Sequence, residues 1–356
     1  MRPVLPVVRD DSPRAGSDEP VPEPPEGWAP GPLVDARGRR ITYLRASITD
    51  RCSMSCVYCM PTGGEGVHAR RPELLSFEEI TRLVSLFARH GIRRVRLTGG
   101  EPLVRRDAVE LVRRIAEAGV GEIAMTTNGA RLGTLARPLR EAGLGSVNVS
   151  VDSLDGARFA EITRGGLLYE VLAGIDAALE VGLEVKINCV ALGGVNDGEL
   201  GAIVDWAWSL GIVPRFIELM PIGEAAGLPP ERFVPAARIV EALGDRVEAG
   251  PAETVADRGP ARYLGGPGGR VGIITAVSDE FCAGCNRIRL TSHGSLRACL
   301  ASRRAVSLRD RLRAGATDRE LVWAALVSLG GKADGHAFAD AGDREHARVG
   351  MSLVGG

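Results

Sequence analysis

The sequence predicts an α/β fold: a partial (β/α)6 barrel, TIM-like, with a C-terminal accessory region covering its open mouth. Six short runs rich in β-branched residues alternate with amphipathic helical stretches between about residues 40 and 220. Such alternation means a parallel sheet with helices outside it. After about residue 225 the alternation is lost, so the last third is not part of the repeat. Six units also suit a doubly wound open sheet. In either arrangement the chemistry belongs at the C-terminal ends of the strands.

The strand runs are 41–48, 95–99, 122–127, 147–152, 184–192 and 213–219. Ser76-Phe77-Glu78-Glu79 reads as a capping box that opens a helix running to about Arg89, stopped by Gly91. Further helices are expected over 105–118, 131–142, 168–181 and 197–210, and helical runs near 307–329. Residues 1–35 are rich in Pro, Gly and acidic side chains. Such a stretch buries too little apolar surface to offset its ordering entropy, so it is expected to be disordered. The barrel then spans 36–224, and the C-terminal region 225–356 ends in Gly355-Gly356.

The chain has 356 residues, 45% of them hydrophobic and 25% charged, with a net charge of −1. That is the composition of a soluble globular protein, and it gives no global basic field for nucleic acid. No apolar run suits a signal peptide or a membrane span, so a cytoplasmic location is expected, where thiols stay reduced. Only Lys186 and Lys332 are lysines among the 44 basic residues.

Six of the seven cysteines fall into two triplets, and Cys189 stands alone in an apolar strand run as a core thiol. Cys52, Cys56 and Cys59 have CxxxCxxC spacing directly after the first strand run, where a barrel places its chemistry. Cys282, Cys285 and Cys299 form the second triplet. Each set is one thiolate short of the four usual for a structural zinc or a cubane cluster. A cubane held by three cysteines keeps one iron open for another ligand. Zinc with a distant fourth ligand, His293 being the nearest spare imidazole of the second set, is the competing arrangement. The Gly99-Gly100 turn at the end of the second run allows close backbone approach.

On these residues the chain resembles the radical S-adenosylmethionine (SAM) superfamily, through DRCSMSCVYCMP and LTGGEP. The resemblance implies that Cys52, Cys56 and Cys59 hold a 4Fe–4S cluster, with Tyr58, Gly100, Ser150 and Met220 contacting SAM. One electron then cleaves SAM to a 5′-deoxyadenosyl radical. With RLTGGEPL, TTNG, SVDSL, KINCV, RFIELMPIG, FCAGCNRIRLT and the terminal Gly-Gly, the chain from about Arg39 onward resembles the GTP 3′,8-cyclase family.

That resemblance implies a second 4Fe–4S cluster on Cys282, Cys285 and Cys299, with GTP between the clusters. The radical takes the ribose 3′ hydrogen and C3′ attacks guanine C8, the first step of molybdenum cofactor biosynthesis. The match assigns Arg45, Arg96, Thr127, Lys186, Arg287, Ile288 and Arg289 to GTP. Arg287 and Arg289, two apart, share a face on an extended segment. Gly355 and Gly356 are expected to enter the active site. Cyclic pyranopterin monophosphate synthase follows as the downstream partner, an electron donor such as flavodoxin or ferredoxin as the reductant, and a homodimer as the assembly. A radical SAM enzyme with a different auxiliary cluster, peptide-modifying or sulfatase-maturing, is the alternative within the enzymes. A zinc-stabilised nucleotide-binding protein is the alternative outside them.

Overall fold

The computed structural model describes residues 20–61, 68–248, 253–254, 259–302, 304–333, 335, 338, 350–351 and 355. The six expected strands form: β1 (Tyr43–Ser47), β2 (Arg94–Thr98), β3 (Glu122–Thr127), β4 (Ser146–Ser150), β5 (Glu184–Ala191) and β6 (Val213–Glu218). The helices between them are α1 (Phe77–Arg89), α2 (Ala108–Glu117), α3 (Leu132–Glu141), α4 (Gly156–Thr163), α5 (Leu168–Glu180) and α6 (Leu200–Ser209). The capping box at α1 closes as its sequence indicates. Ser76 Oγ accepts from the Glu79 amide at 3.1 Å, and Glu79 accepts from the Ser76 amide at 2.7 Å. Helix α4 was not among the expected elements. Asp155 caps it, but at eight residues it is too short to show a clear helical period.

The C-terminal region does more than cover the barrel. It contributes α7 (Ala236–Leu243), β7 (Glu253–Thr254), β8 (Arg262–Gly266), β9 (Gly269–Ile274), β10 (Arg287–Leu290), β11 (Ser295–Arg297), β12 (Val306–Ser307), α8 (Leu308–Arg313) and α9 (Asp318–Gly330). All twelve described strands belong to one sheet, ordered β12-β11-β10-β1-β2-β3-β4-β5-β6-β9-β8-β7. Strand β10 pairs parallel with β1, and β9 pairs parallel with β6. The open parallel sheet is therefore extended on both sides by strands from the last third of the chain. The outer face of the sheet packs on the helices through residues such as Leu44, Val95, Ile123, Val147 and Ile187.

Residues 20–35 depart from the disorder expected of them. Leu33 is buried, and its amide donates to the His90 carbonyl at 2.9 Å. Trp28 meets Trp323 of α9 edge to face, with ring centroids 5.1 Å apart. Arg319 lies over the Trp28 ring and donates to the Trp28 and Pro25 carbonyls. One aromatic anchor and a few charge-assisted bonds fix a segment whose composition alone argues against order. Residues 1–19 lie outside the described residues. No described helix is long and apolar enough to cross a membrane.

Candidate active site

The first triplet lies on the loop that leaves β1. Backbone contacts pin this loop from two sides. The Gly100 amide donates to Thr49 O and the Glu101 amide to Arg51 O, both at 2.8 Å. A Cβ at Gly100 would stand 2.6 Å from the Arg51 carbonyl carbon, so only glycine lets the β2 turn lie on the cysteine loop. From the other side, the Ser55 and Val57 amides donate to Thr163 O and Ile162 O at the end of α4. Arg164 donates to Ser55 O at 3.2 Å and Met60 O at 2.8 Å.

The three thiols of this loop act on one another electrostatically. Burial pushes Cys52 up to about 11, with Glu101 adding to the effect. Burial likewise pushes Cys59 up to about 12, with Cys52 and Glu224 adding. Tyr58 does not point its hydroxyl outward. It donates to Asp152 Oδ2 at 2.6 Å, while Asp152 Oδ1 accepts from the Val190 amide. Glu101 accepts from the Leu103 and Asn128 amides and from the Thr127 hydroxyl. Burial nevertheless pushes its carboxyl up to about 7.

The second triplet opens onto a cavity inside the sheet. Cys282, Cys285 and Cys299 line it together with Arg45, Arg96, Arg215, Arg287, Arg289 and Lys332. Strand register explains the clustering. Arg45 of β1 sits directly between Arg289 of β10 and Arg96 of β2, and Tyr43 sits between Arg287 and Arg94. Side chains of one parity share a face, so two rows of cations look inward. Arg96 donates to the Tyr43 hydroxyl at 2.5 Å and to Met125 O at 2.9 Å. From across the sheet, Arg215 of β6 donates to Asn188 Oδ1 of β5 at 2.7 Å.

Burial, then like-charge neighbours, weakens Arg45, Arg215 and Arg289. Arg289 falls to about 10, with Arg287 beside it, and Arg215 falls to about 10, with Arg96 beside it. Burial raises the Tyr43 phenol, but Arg96, Arg45 and Arg94 together pull it down to about 7. So many buried cations in one cavity are the electrostatic complement of a polyanion.

Met351 lines this cavity, and Gly355 contacts one of its arginines. Gly355 is buried, and its carbonyl accepts from Arg289 Nη1 at 2.5 Å. Its φ of +74° is one that glycine tolerates, and a Cβ there would collide with the Thr98 hydroxyl. Gly356 lies outside the described residues.

Of the residues the sequence assigned to substrate, the cavity gathers Arg45, Arg96, Arg287 and Arg289. It does not gather three others. The Thr127 hydroxyl is spent on Glu101, and Thr126 lines the cavity instead. Ile288 is buried in the core on the opposite face of β10. Lys186 shares the inward face of β5 with Asn188, but its ammonium pairs with Glu184. Met220 lines the cavity, and Ser150 sits half-buried at the end of β4. Sequence reasoning missed Tyr43, Asn188 and Arg215. The signal for Arg215 was present: a charge inside an apolar strand run needs a partner or a ligand.

Each set offers three thiols, a donor set that fits a cubane with one iron left open. Cys189 is 1% exposed in the core.

Comparison with known proteins agrees with this geometry. The model of the radical SAM superfamily matches residues 46–207, and that of Molybdenum Cofactor Synthesis C matches residues 212–338. The GTP 3′,8-cyclase of Pelotomaculum thermopropionicum is 44% identical over 330 residues, covering 91% of this chain and 100% of that protein. The GTP 3′,8-cyclase of Heliobacterium modesticaldum is 43% identical over 329 residues, with 91% and 100% covered. Among solved structures, Streptococcus suis SuiB superposes with a TM-score of 0.56 at 15% identity, over 82% of this chain and 65% of that one, a likeness of fold. Full-length similarity to the cyclases, with both family models in order, places the chain: it belongs to the GTP 3′,8-cyclase family of the radical SAM superfamily.

Proposed function

We propose that the chain converts GTP to (8S)-3′,8-cyclo-7,8-dihydroguanosine 5′-triphosphate, as a lyase at the first step of molybdenum cofactor biosynthesis. The observation that carries this is the joining of inward-facing cations with the second cysteine triplet in one cavity. Cys52, Cys56 and Cys59 would hold a 4Fe–4S cluster beside SAM, and Cys282, Cys285 and Cys299 a second one facing the guanine. When bound, the first cluster and SAM supply the radical that removes the ribose 3′ hydrogen.

The chain's own residues bind and orient. Arg45, Arg96 and Arg215 neutralise the triphosphate with charge-assisted bonds, and the substrate in turn relieves their mutual repulsion. Arg287, which donates to Cys285 Sγ at 3.4 Å, and Arg289 fix the base end. The Gly355 carbonyl holds the Arg289 guanidinium in place. Lys186 and Thr127 reach substrate only if their present partners are exchanged. Flavodoxin or ferredoxin is proposed as reductant, cyclic pyranopterin monophosphate synthase as the enzyme that takes the product, and a homodimer as the assembly.

The test is anaerobic incubation of reconstituted protein with SAM, dithionite and GTP. 5′-Deoxyadenosine should form only when GTP is present. Its formation without GTP, or equally with ATP, would overturn the substrate assignment. Iron near eight atoms per chain is expected for two clusters, against about one or two zinc for structural sites.

A further inference from the structure

The two triplets sit in opposite electrostatic surroundings. Besides the thiols of the set itself, carboxylates act on the first set: Glu101 on Cys52, Asp152 on Cys56 and Glu224 on Cys59. The second set faces cations. Arg287 and Lys332 act on Cys285, Lys332 and Arg289 act on both Cys285 and Cys299, and Arg297 acts on Cys299. Glu280, beside Cys282, is the acid that opposes them.

Lys332 is held there by the fold. It follows α9 and is 4% exposed. Its ammonium donates to Arg287 O and to Ala298 O, both at 2.7 Å, and Lys332 lines the cavity with Cys285 and Cys299. Those carbonyls flank the ligand positions, Ala298 immediately before Cys299 and Arg287 two residues after Cys285. Arg39 fixes the same corner. It pairs with Asp35 and donates to Cys282 O at 2.6 Å, Lys332 O at 3.3 Å and Ala333 O at 3.1 Å. A buried ammonium with two carbonyl acceptors is a fixed charge, not a flexible surface lysine.

Reducing a 4Fe–4S cluster adds one negative charge to it. Nearby cations and hydrogen bonds to sulfur stabilise the reduced form and raise the potential, and nearby carboxylates lower it. We infer that the chain holds its two clusters at different reduction potentials, the C-terminal one higher, and that Lys332 is the positioning residue that raises it. This rests on reading both triplets as cluster ligands. With that split the stronger reductant stands at the SAM site.

Two single-cluster proteins test the idea. C52S/C56S/C59S keeps only the C-terminal cluster, and C282S/C285S/C299S only the N-terminal one. Each is reconstituted, assayed for iron and titrated potentiometrically by electron paramagnetic resonance. The C-terminal cluster should show the higher midpoint. K332M should lower that midpoint, and K332R should largely restore it. K332M in the N-terminal-cluster protein should change nothing. Equal or reversed midpoints, or a K332M midpoint unchanged from its parent, would overturn the inference. If K332M loses its cluster while K332R keeps it, with equal circular dichroism, the charge is still the requirement. Loss in both would show a steric role and overturn it. A parent protein that binds about four iron on the N-terminal triplet but none on the C-terminal one would instead overturn the two-cluster reading on which it rests.

Discussion

At the scale of single residues, the cavity is a set of unfavourable placements that a polyanion would resolve. Tyr43 records this most directly. Its phenol lies at about 7 in the folded chain, against an ordinary value near 10, because three arginines surround it. A depressed folded pKa contributes stability that is fully present above the unfolded pKa and is lost as pH falls through the folded one. Wild-type protein should therefore gain stability relative to Tyr43→Phe between about pH 7 and about pH 10, as measured by thermal unfolding of both proteins across that range. Parallel curves would mean that Tyr43 stays protonated. Gly355 gives a second residue-scale expectation. Gly355→Ala places a methyl on the Thr98 hydroxyl at a left-handed φ, so the tail leaves Arg289. Iron content should stay at the wild-type level while GTP-dependent 5′-deoxyadenosine falls by about tenfold or more, from the loss of one buried charge-assisted bond. Undiminished turnover would show that the tail is a bystander. The cysteines stood out by their spacing, and Arg45, Arg96, Arg287 and Arg289 through the family resemblance together with their places on or beside extended runs. Tyr43 and Asn188 were not legible, because one polar residue in a strand does not show which face it takes until register is known.

At the scale of elements, the capping box and the six strands were readable because each carries its own period or cap. Helix α4 and strands β8 to β12 were not. They are short, and the segment holding β8 and β9, RYLGGPGGRVGII, is interrupted by glycines that normally mark turns. The stretch 20–35 shows the reverse error. Its proline-rich composition argues for disorder, and a tryptophan docked on α9 overrides it. The Trp28 contacts with Trp323 and Arg319 are worth about 1–3 kcal/mol together. Trp28→Ala should lower the unfolding free energy by that amount in a urea titration, with the same slope as wild type. A change below about 0.5 kcal/mol would mean the strap lies on the surface without holding it.

At the scale of the whole molecule, the division between barrel and C-terminal region is not a division of the sheet. Strand β1 pairs with β10 and β6 pairs with β9, so both edges of the six-stranded core are covered by later chain. This long-range closure was invisible in the sequence, since alternation reports neighbours and not which distant strand covers an edge. It also ties the two halves of the site together. The row Arg289-Arg45-Arg96 exists only when β10 is in register with β1. A fragment of residues 36–224 alone would expose two parallel edges with unpaired backbone groups, the arrangement that invites aggregation. It would also lack Leu33, Leu321, Val322 and Leu329, which belong to the main core. The fragment should therefore elute as aggregate, or lack a near-ultraviolet dichroism signal, while the full chain is cooperative. A monomeric fragment with a sharp unfolding transition would show that the barrel is an independent unit. In that case the C-terminal strands would be needed for the site alone, and adding residues 225–356 in trans should restore GTP binding without changing the stability of the fragment.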